Sequence, residues 1–325
     1  MMKLNRFATY AWGVLGYNLL VILWGAYVRA TGSGAGCGAH WPLCDGQVLP
    51  RSARAELLVE FTHRLSSGLS LLLVVGLLIW ALRAYPRGHI VRLGAKLAML
   101  LIVTEALVGA GLVLFQLVAG NDSAARAMAI VIHLLNTFLL LAALTLTAWW
   151  ASGGAPLRVR GQGAISWALG LGMLGVMVVG AAGAITALGD TLFPAGSLAE
   201  GLRQDFAPTA HFLVQMRAIH PIAAILLGVY ITALAWAIGR RDDGRDARPI
   251  ARALAGLFLV QLLLGALNVA LLAPVWMQLI HLLAADGLWI LLVLLAASVL
   301  GQPAPVAAID RRTENHPEGT RPRTA

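Results

Sequence analysis

Charge is scarce in this chain. Asp, Glu, Lys and Arg make up 12% of its 325 residues, where soluble domains carry about a quarter. With 59% hydrophobic residues beside it, that shortage excludes an ordinary soluble globular domain. Other absences narrow the reading further. The formal net charge of +9 comes with no basic stripe and no RNA-binding motif, so nucleic acid is not expected as a partner. The first apolar run continues too far for a cleaved signal peptide, and no small-residue cleavage site follows it cleanly. The glycine-rich run Gly32–Gly36 lacks the Lys-Ser/Thr ending of a phosphate loop. Cysteine is almost missing, with Cys37 and Cys44 as its two occurrences.

What is present comes in blocks of about twenty apolar residues, the length that crosses ~30 Å of hydrocarbon. Eight spans are expected, near 9–29, 61–83, 94–118, 128–150, 164–188, 211–239, 249–272 and 276–300, the last two joined at Ala273-Pro274. Of the 24 Lys and Arg, 17 fall on the side that holds both termini. The positive-inside rule therefore predicts cytoplasmic termini, in a bacterial inner membrane. The loop 30–60 then faces outward, where a Cys37–Cys44 disulfide is expected as a loop staple rather than a redox pair. The polar, Pro-rich segment 303–325 reads as a disordered cytoplasmic tail. Trp80, Trp149, Trp150 and Trp236 read as interface anchors.

The halves of the chain resemble each other. His63-Arg64-Leu65 opens span two and His220-Pro221-Ile222 opens span six, 157 positions later. Glu105 with Gly109-Ala110 matches Gln261 with Gly265-Ala266, and His133-Leu134-Leu135 matches His281-Leu282-Leu283. In spans one and five, Trp24-Gly25-Ala26 pairs with Val179-Gly180-Ala181. Four spans per half make a parallel repeat. The predicted fold is an all-α integral membrane protein of eight transmembrane helices, arranged as two pseudo-twofold-related four-helix bundles. Residues 1–150 form the first bundle and 151–302 the second.

Of eight histidines, four stand at repeat-related places: His63, His133, His220 and His281, each expected in the first turns of an even-numbered span near the outer face. A single intramembrane histidine can simply hydrogen-bond a neighbouring helix; four at matched positions point to a shared task. Two histidines on facing helices of one bundle suit the axial positions of a haem iron. Arg64, Arg126 and Arg217 are candidates to meet the propionates. A closed zinc site needs four donors at one point, and the repeat divides these histidines two and two. A di-iron site needs two Glu-x-x-His segments, and the chain has one.

That segment is Glu60–His63. Its counterpart three residues before His220 is Arg217. Positions i and i+3 share a helix face, so opposite charges flank two equivalent sites. Glu60 either caps span two, pairs with Arg64, or handles protons and positive charge beside a haem. Glu105 and Asp286 are further intramembrane acids, read as proton relays or as partners of neighbouring helices.

The stretches WGAYVRATGSGAGCGAHWPLC (24–44), EFTHR (60–64), GAITALGDTLFP (183–194) and PVWMQLIHLL (274–283) together resemble haem A synthase. The resemblance implies oxidation of the C8 methyl of haem O to a formyl group through hydroxylation steps. It implies His63 and His133 as ligands of the substrate haem, Glu60 as the catalytic residue, and His220 and His281 as ligands of a haem b cofactor. Haem O synthase and an electron-transfer partner are the expected associates, with membrane lipid around the protein and a homo-oligomer as an open state. Cys37 and Cys44 match the family's first cysteine pair; residues 189–210 hold no second pair. The rival readings are a two-haem electron carrier without substrate chemistry and a haem transporter.

Overall fold

The computed structural model describes residues 5–51, 53–240 and 247–301; the predicted tail at 303–325 lies outside them. Nine α-helices are found among these residues: α1 (Arg6–Ala30), α2 (Ala55–Ala84), α3 (Ile90–Leu114), α4 (Ala124–Ala151), α5 (Ala164–Leu192), α6 (Leu198–Asp205), α7 (Phe212–Arg240), α8 (Ala247–Ala270) and α9 (Val275–Leu300). All but α6 are long and apolar enough to cross a membrane, and a helix satisfies its own backbone groups in lipid. The chain is a multi-pass membrane protein.

Helix starts follow from local chemistry. Asn5 and Ser123 cap α1 and α4 by accepting from the N–H groups of Ala8 and Arg126. Pro274 precedes α9, where its fixed φ sets the entry. Several boundaries lie a few residues from expectation, and two have a local cause. Helix α2 begins at Ala55, ahead of the apolar run at 61, because Ala55, Glu56 and Leu57 continue the helical pattern outside the apolar core. Helix α3 stops at Leu114 rather than 118, since Gln116 and Ala119 turn left-handed at φ 55° and 52°. Both histidines on even-numbered spans of the first half thus sit deeper than the first turns, about two turns inside α2 and α4. Helix α6 was not expected; it is short and polar, with an exposed apolar edge at Leu198 and Leu202.

Helices α1, α2, α3 and α4 pack in a closed ring, and α5, α7, α8 and α9 form a second. The seam between the rings is made chiefly by α4 against α5 and α9, and by α1 against α9. Trp289 of α9 crosses it. Its indole stacks on Phe138 of α4 at 5.1 Å and donates to the Phe138 carbonyl at 2.6 Å. At the end carrying the Cys37–Cys44 loop, Arg29 of α1 donates to the Ala187 carbonyl, to Thr191 Oγ1 and to Gln278 Oε1, joining α1 to α5 and α9. Trp149, read as an interface anchor, is buried, and a methyl on Gly154 would strike its indole at 2.2 Å.

Candidate functional site

Each of the four repeat-related histidines rests against a glycine of a neighbouring helix. A methyl at Gly25 of α1 would sit 2.9 Å from His63 Cε1, and one at Gly183 of α5 would sit 2.8 Å from His220 Cε1. Gly109 of α3 and Gly265 of α8 face His133 and His281 in the same way, at 3.8 and 3.2 Å. The fit is closest at Gly25 and Gly183, tight at Gly265 and loosest at Gly109. This corrects the register read from sequence: the counterpart of Gly25 is Gly183, while Gly180 faces Phe138 across the seam, where a methyl would sit 2.6 Å from the ring. The histidines of each half act as a pair, His63 with His133 and His220 with His281, each within electrostatic reach of the other. All four Nδ1 atoms are buried with no hydrogen-bond partner among the described residues.

In the first ring the pair lies under the disulfide loop. Cys37 and Cys44 are bonded. The Cys37 N–H donates to Glu60 Oε2 at 2.8 Å. Arg64 pairs with Glu60 Oε1 and donates to the carbonyls of His40 and Leu43. Gly36 makes this docking possible, because a methyl there would fall 2.4 Å from the Glu56 carbonyl oxygen. Glu60 is buried, and it does not cap α2, which begins at Ala55 with Arg54 as N-cap. It pairs with Arg64, one of the options the sequence left open.

In the second ring Arg217 is equally engaged. Its guanidinium lies 2.8 Å from Asp190 and 3.6 Å from Asp205, and donates to the carbonyls of Gly189 and Phe193. Asp205, at the end of α6, feels burial that pushes its carboxyl up and Arg217 that pulls it back down. Each histidine pair is thus flanked by a carboxylate–guanidinium couple, both members on α2 in the first ring and one each on α5 and α7 in the second. Arg126 donates to the carbonyls of Ala119 and Asn121. All three propionate candidates already hold backbone carbonyls at this end of the molecule.

The mid-span acids part ways. Glu105 Oε1 lies 3.4 Å from His133 Nδ1, and its oxygens accept from Thr137 and Asn136. Asp286 is fully buried on α9, and neither of its oxygens has a partner among the described residues. Outside the first ring, Tyr17, Leu20, Val21, Trp24, Thr62 and Ser66 line a groove of about 300 Å³ between α1 and α2, one residue away from both His63 and its glycine seat.

Sequence reasoning missed the glycine seats, Asp190, Asp205 and the Arg29 tie. The seats had a signal, a glycine at matched places in all four odd-numbered spans, but composition alone does not set the register between helices. Helix α6 also had one: Ser197-x-x-Glu200 is a capping sequence, and Ser197 accepts from the Glu200 N–H.

The chain was compared with known proteins. It is 55% identical over 300 residues to protoheme IX farnesyltransferases from two strains of Thermus thermophilus, covering 92% of this chain and 49% of theirs. The chain spans about half the length of these relatives. It is 42% identical over 97 residues to the haem A synthase of Alkalihalophilus pseudofirmus, covering 30% of this chain and 33% of that one. The haem A synthase of Geobacillus kaustophilus is likewise 42% identical over 97 residues, with 30% of this chain and 31% of its own covered. The model of the cytochrome oxidase assembly protein family matches residues 8–293. With eight spans, paired histidines and a match over nearly all of the membrane region, the chain belongs to the cytochrome oxidase assembly protein family.

Proposed function

We propose that this protein is a haem A synthase, an oxidoreductase that converts the C8 methyl of haem O to a formyl group. The observation that carries the reading is the duplicated seat: two histidine pairs against glycines, one of them beside a buried carboxylate held in place by a disulfide loop. No group of three or more His, Cys, Asp or Glu that could hold a bare metal ion occurs among the described residues. A macrocycle that brings four nitrogens of its own needs only two from the protein, and each ring offers two. His220 and His281 would hold haem b, which supplies one-electron transfer when bound.

In this reading His63 and His133 hold the substrate haem by its iron. The disulfide loop closes over that end and limits water. Glu60, fixed by the Cys37 N–H and Arg64, stabilises positive charge or accepts a proton as the methyl is oxidised. The groove between α1 and α2 takes the isoprenoid tail, which enters from the lipid side. Arg64 and Arg217 answer the propionates by exchanging backbone carbonyls for them. The protein sits in a bacterial inner membrane with its termini in the cytoplasm and the histidines toward the outer face.

The name of the Thermus relatives raises farnesyl transfer as a second reading. A prenyl diphosphate donor requires a divalent cation held between carboxylates and the diphosphate, and this chain supplies no acidic cluster for it among the described residues. We assign that chemistry to the half of those proteins that this chain does not match. Haem O synthase is then the natural partner, delivering its product within the membrane, and an electron-transfer protein is the other.

The test is haem chromatography of membranes supplied with haem O. Glu60→Ala and Glu60→Gln should abolish formation of haem A, the glutamine keeping an oxygen for the Cys37 N–H while removing the charge. Full conversion by either variant removes Glu60 from the chemistry. Farnesylated haem made from haem b by this chain alone would instead establish the second reading.

A further inference from the structure

The halves differ most sharply beside one histidine of each pair. Glu105 on α3 stands against the Nδ1 side of His133; Gln261 on α8 holds the matching sequence position but meets the other ring nitrogen of His281, its Nε2 3.2 Å from the ring Nε2 and 3.1 Å from the His281 carbonyl oxygen. Around Glu105 a polar frame is complete. Thr137 Oγ1 donates to one carboxylate oxygen and Asn136 Nδ2 to the other. Asn136 is itself fixed, donating to the Leu101 carbonyl at 2.9 Å and accepting from Thr104 Oγ1 at 2.6 Å. The matching positions in the second half are Val260 for Thr104, Ala284 for Asn136 and Ala285 for Thr137. Four neighbouring positions thus differ between the halves, and in the first half Thr104, Asn136 and Thr137 all serve the Glu105 carboxylate.

We propose that Glu105 is a positioning residue for the iron site of the first half, holding the Nδ1 side of His133 so that its Nε2 lone pair faces the pocket with added basicity. The inference rests on His63 and His133 being haem ligands. A carboxylate that accepts from the ring N–H of a ligating histidine fixes its tautomer and strengthens its donation to the metal. Stronger donation favours the oxidised iron and lowers its reduction potential. The 3.4 Å separation is longer than a hydrogen bond; Gly109 gives His133 the loosest of the four seats, at 3.8 Å, and such bonds are commonly long before the ligand is in place. Gln261, being neutral, gives His281 no such push. The structure therefore assigns the two irons different potentials, the lower one in the first half.

The experiment uses the purified full chain loaded with haem b alone, so that no turnover occurs. The read-outs are redox titration by absorbance and the low-temperature paramagnetic spectrum of the ferric form. A His281→Ala background identifies the wave of the first half. Glu105→Gln should move that wave to higher potential, change its ferric spectrum and weaken haem retention by about 10-fold, leaving the second wave in place. Glu105→Asp should recover part of the shift. An unmoved first wave in Glu105→Gln overturns the proposal while the ligand assignment stands. A wild-type chain that takes up haem only at His220 and His281 overturns the proposal and the assignment beneath it.

Discussion

The two rings share a frame and differ in what surrounds it. Each seats a histidine pair on glycines and places a carboxylate–guanidinium couple at the same end. In the first ring the couple is Glu60 with Arg64, both on α2, and it grips a loop closed by a disulfide. In the second the couple is Arg217 of α7 with Asp190 of α5, and α6 covers it. The residue after the histidine is Arg64 in one half and Pro221 in the other; the proline has no N–H to give the helix. Sequence suggested a carboxylate beside one site and a cation beside the other. The structure shows both charges compensated, so net charge is not what separates the halves. The separation lies in which element carries the carboxylate, and in the polar frame around Glu105. Ligand geometry belongs to the fold; the chemical bias of each site is added by side chains the fold does not require.

The largest test of this comparison is a single methyl group. Gly25→Ala should push the His63 ring aside, because the new carbon would lie 2.9 Å from Cε1, at the far end of a side chain that can move. The fold should survive, and haem per protein should fall by half, with the second site retained. Gly183→Ala should spare the first site and empty the second. Loss of both haems from either variant would show that the halves are not separable.

Next comes the loop that only the first ring has. Cys37→Ser removes a short staple, worth about 2–3 kcal/mol by loop-closure entropy, and loosens the N–H that holds Glu60. Conversion of haem O should fall several-fold while the spectrum of the second haem is unchanged. An equal disturbance of both spectra would assign the loop to the whole molecule. The smallest expected effect is at Asp286. Its carboxyl is buried with no partner among the described residues, which is costly. Asp286→Leu should raise the thermal transition in detergent by a few degrees and leave conversion intact; lost conversion would make Asp286 a proton carrier instead.

The eight spans and the four histidines were legible because both signals are local. Twenty apolar residues identify a crossing, and an ionisable ring within one is conspicuous at any register. The Glu60–Arg64 pair, four residues apart on one helix, was readable for the same reason. The Arg217–Asp190 couple was not, since it joins two helices whose relative height is set by packing. Gly180 shows the same limit: it matched Gly25 by its neighbours in the chain, yet it meets Phe138. Helix α6 lacks the apolar run by which the others were found.

The glycine seats have an evolutionary consequence. A histidine packed on bare backbone has its ring position determined by the neighbouring main chain, so no conservative replacement exists for the seat. An alanine methyl would meet the histidine ring at under 3 Å at Gly25 and Gly183, and would rest in ordinary contact with it at Gly109. Each ring has its own such position, Gly25 in the first and Gly183 in the second. Under the proposed haem assignment, a descendant could lose one site through Gly25 or Gly183 and keep the seam and the other histidine pair.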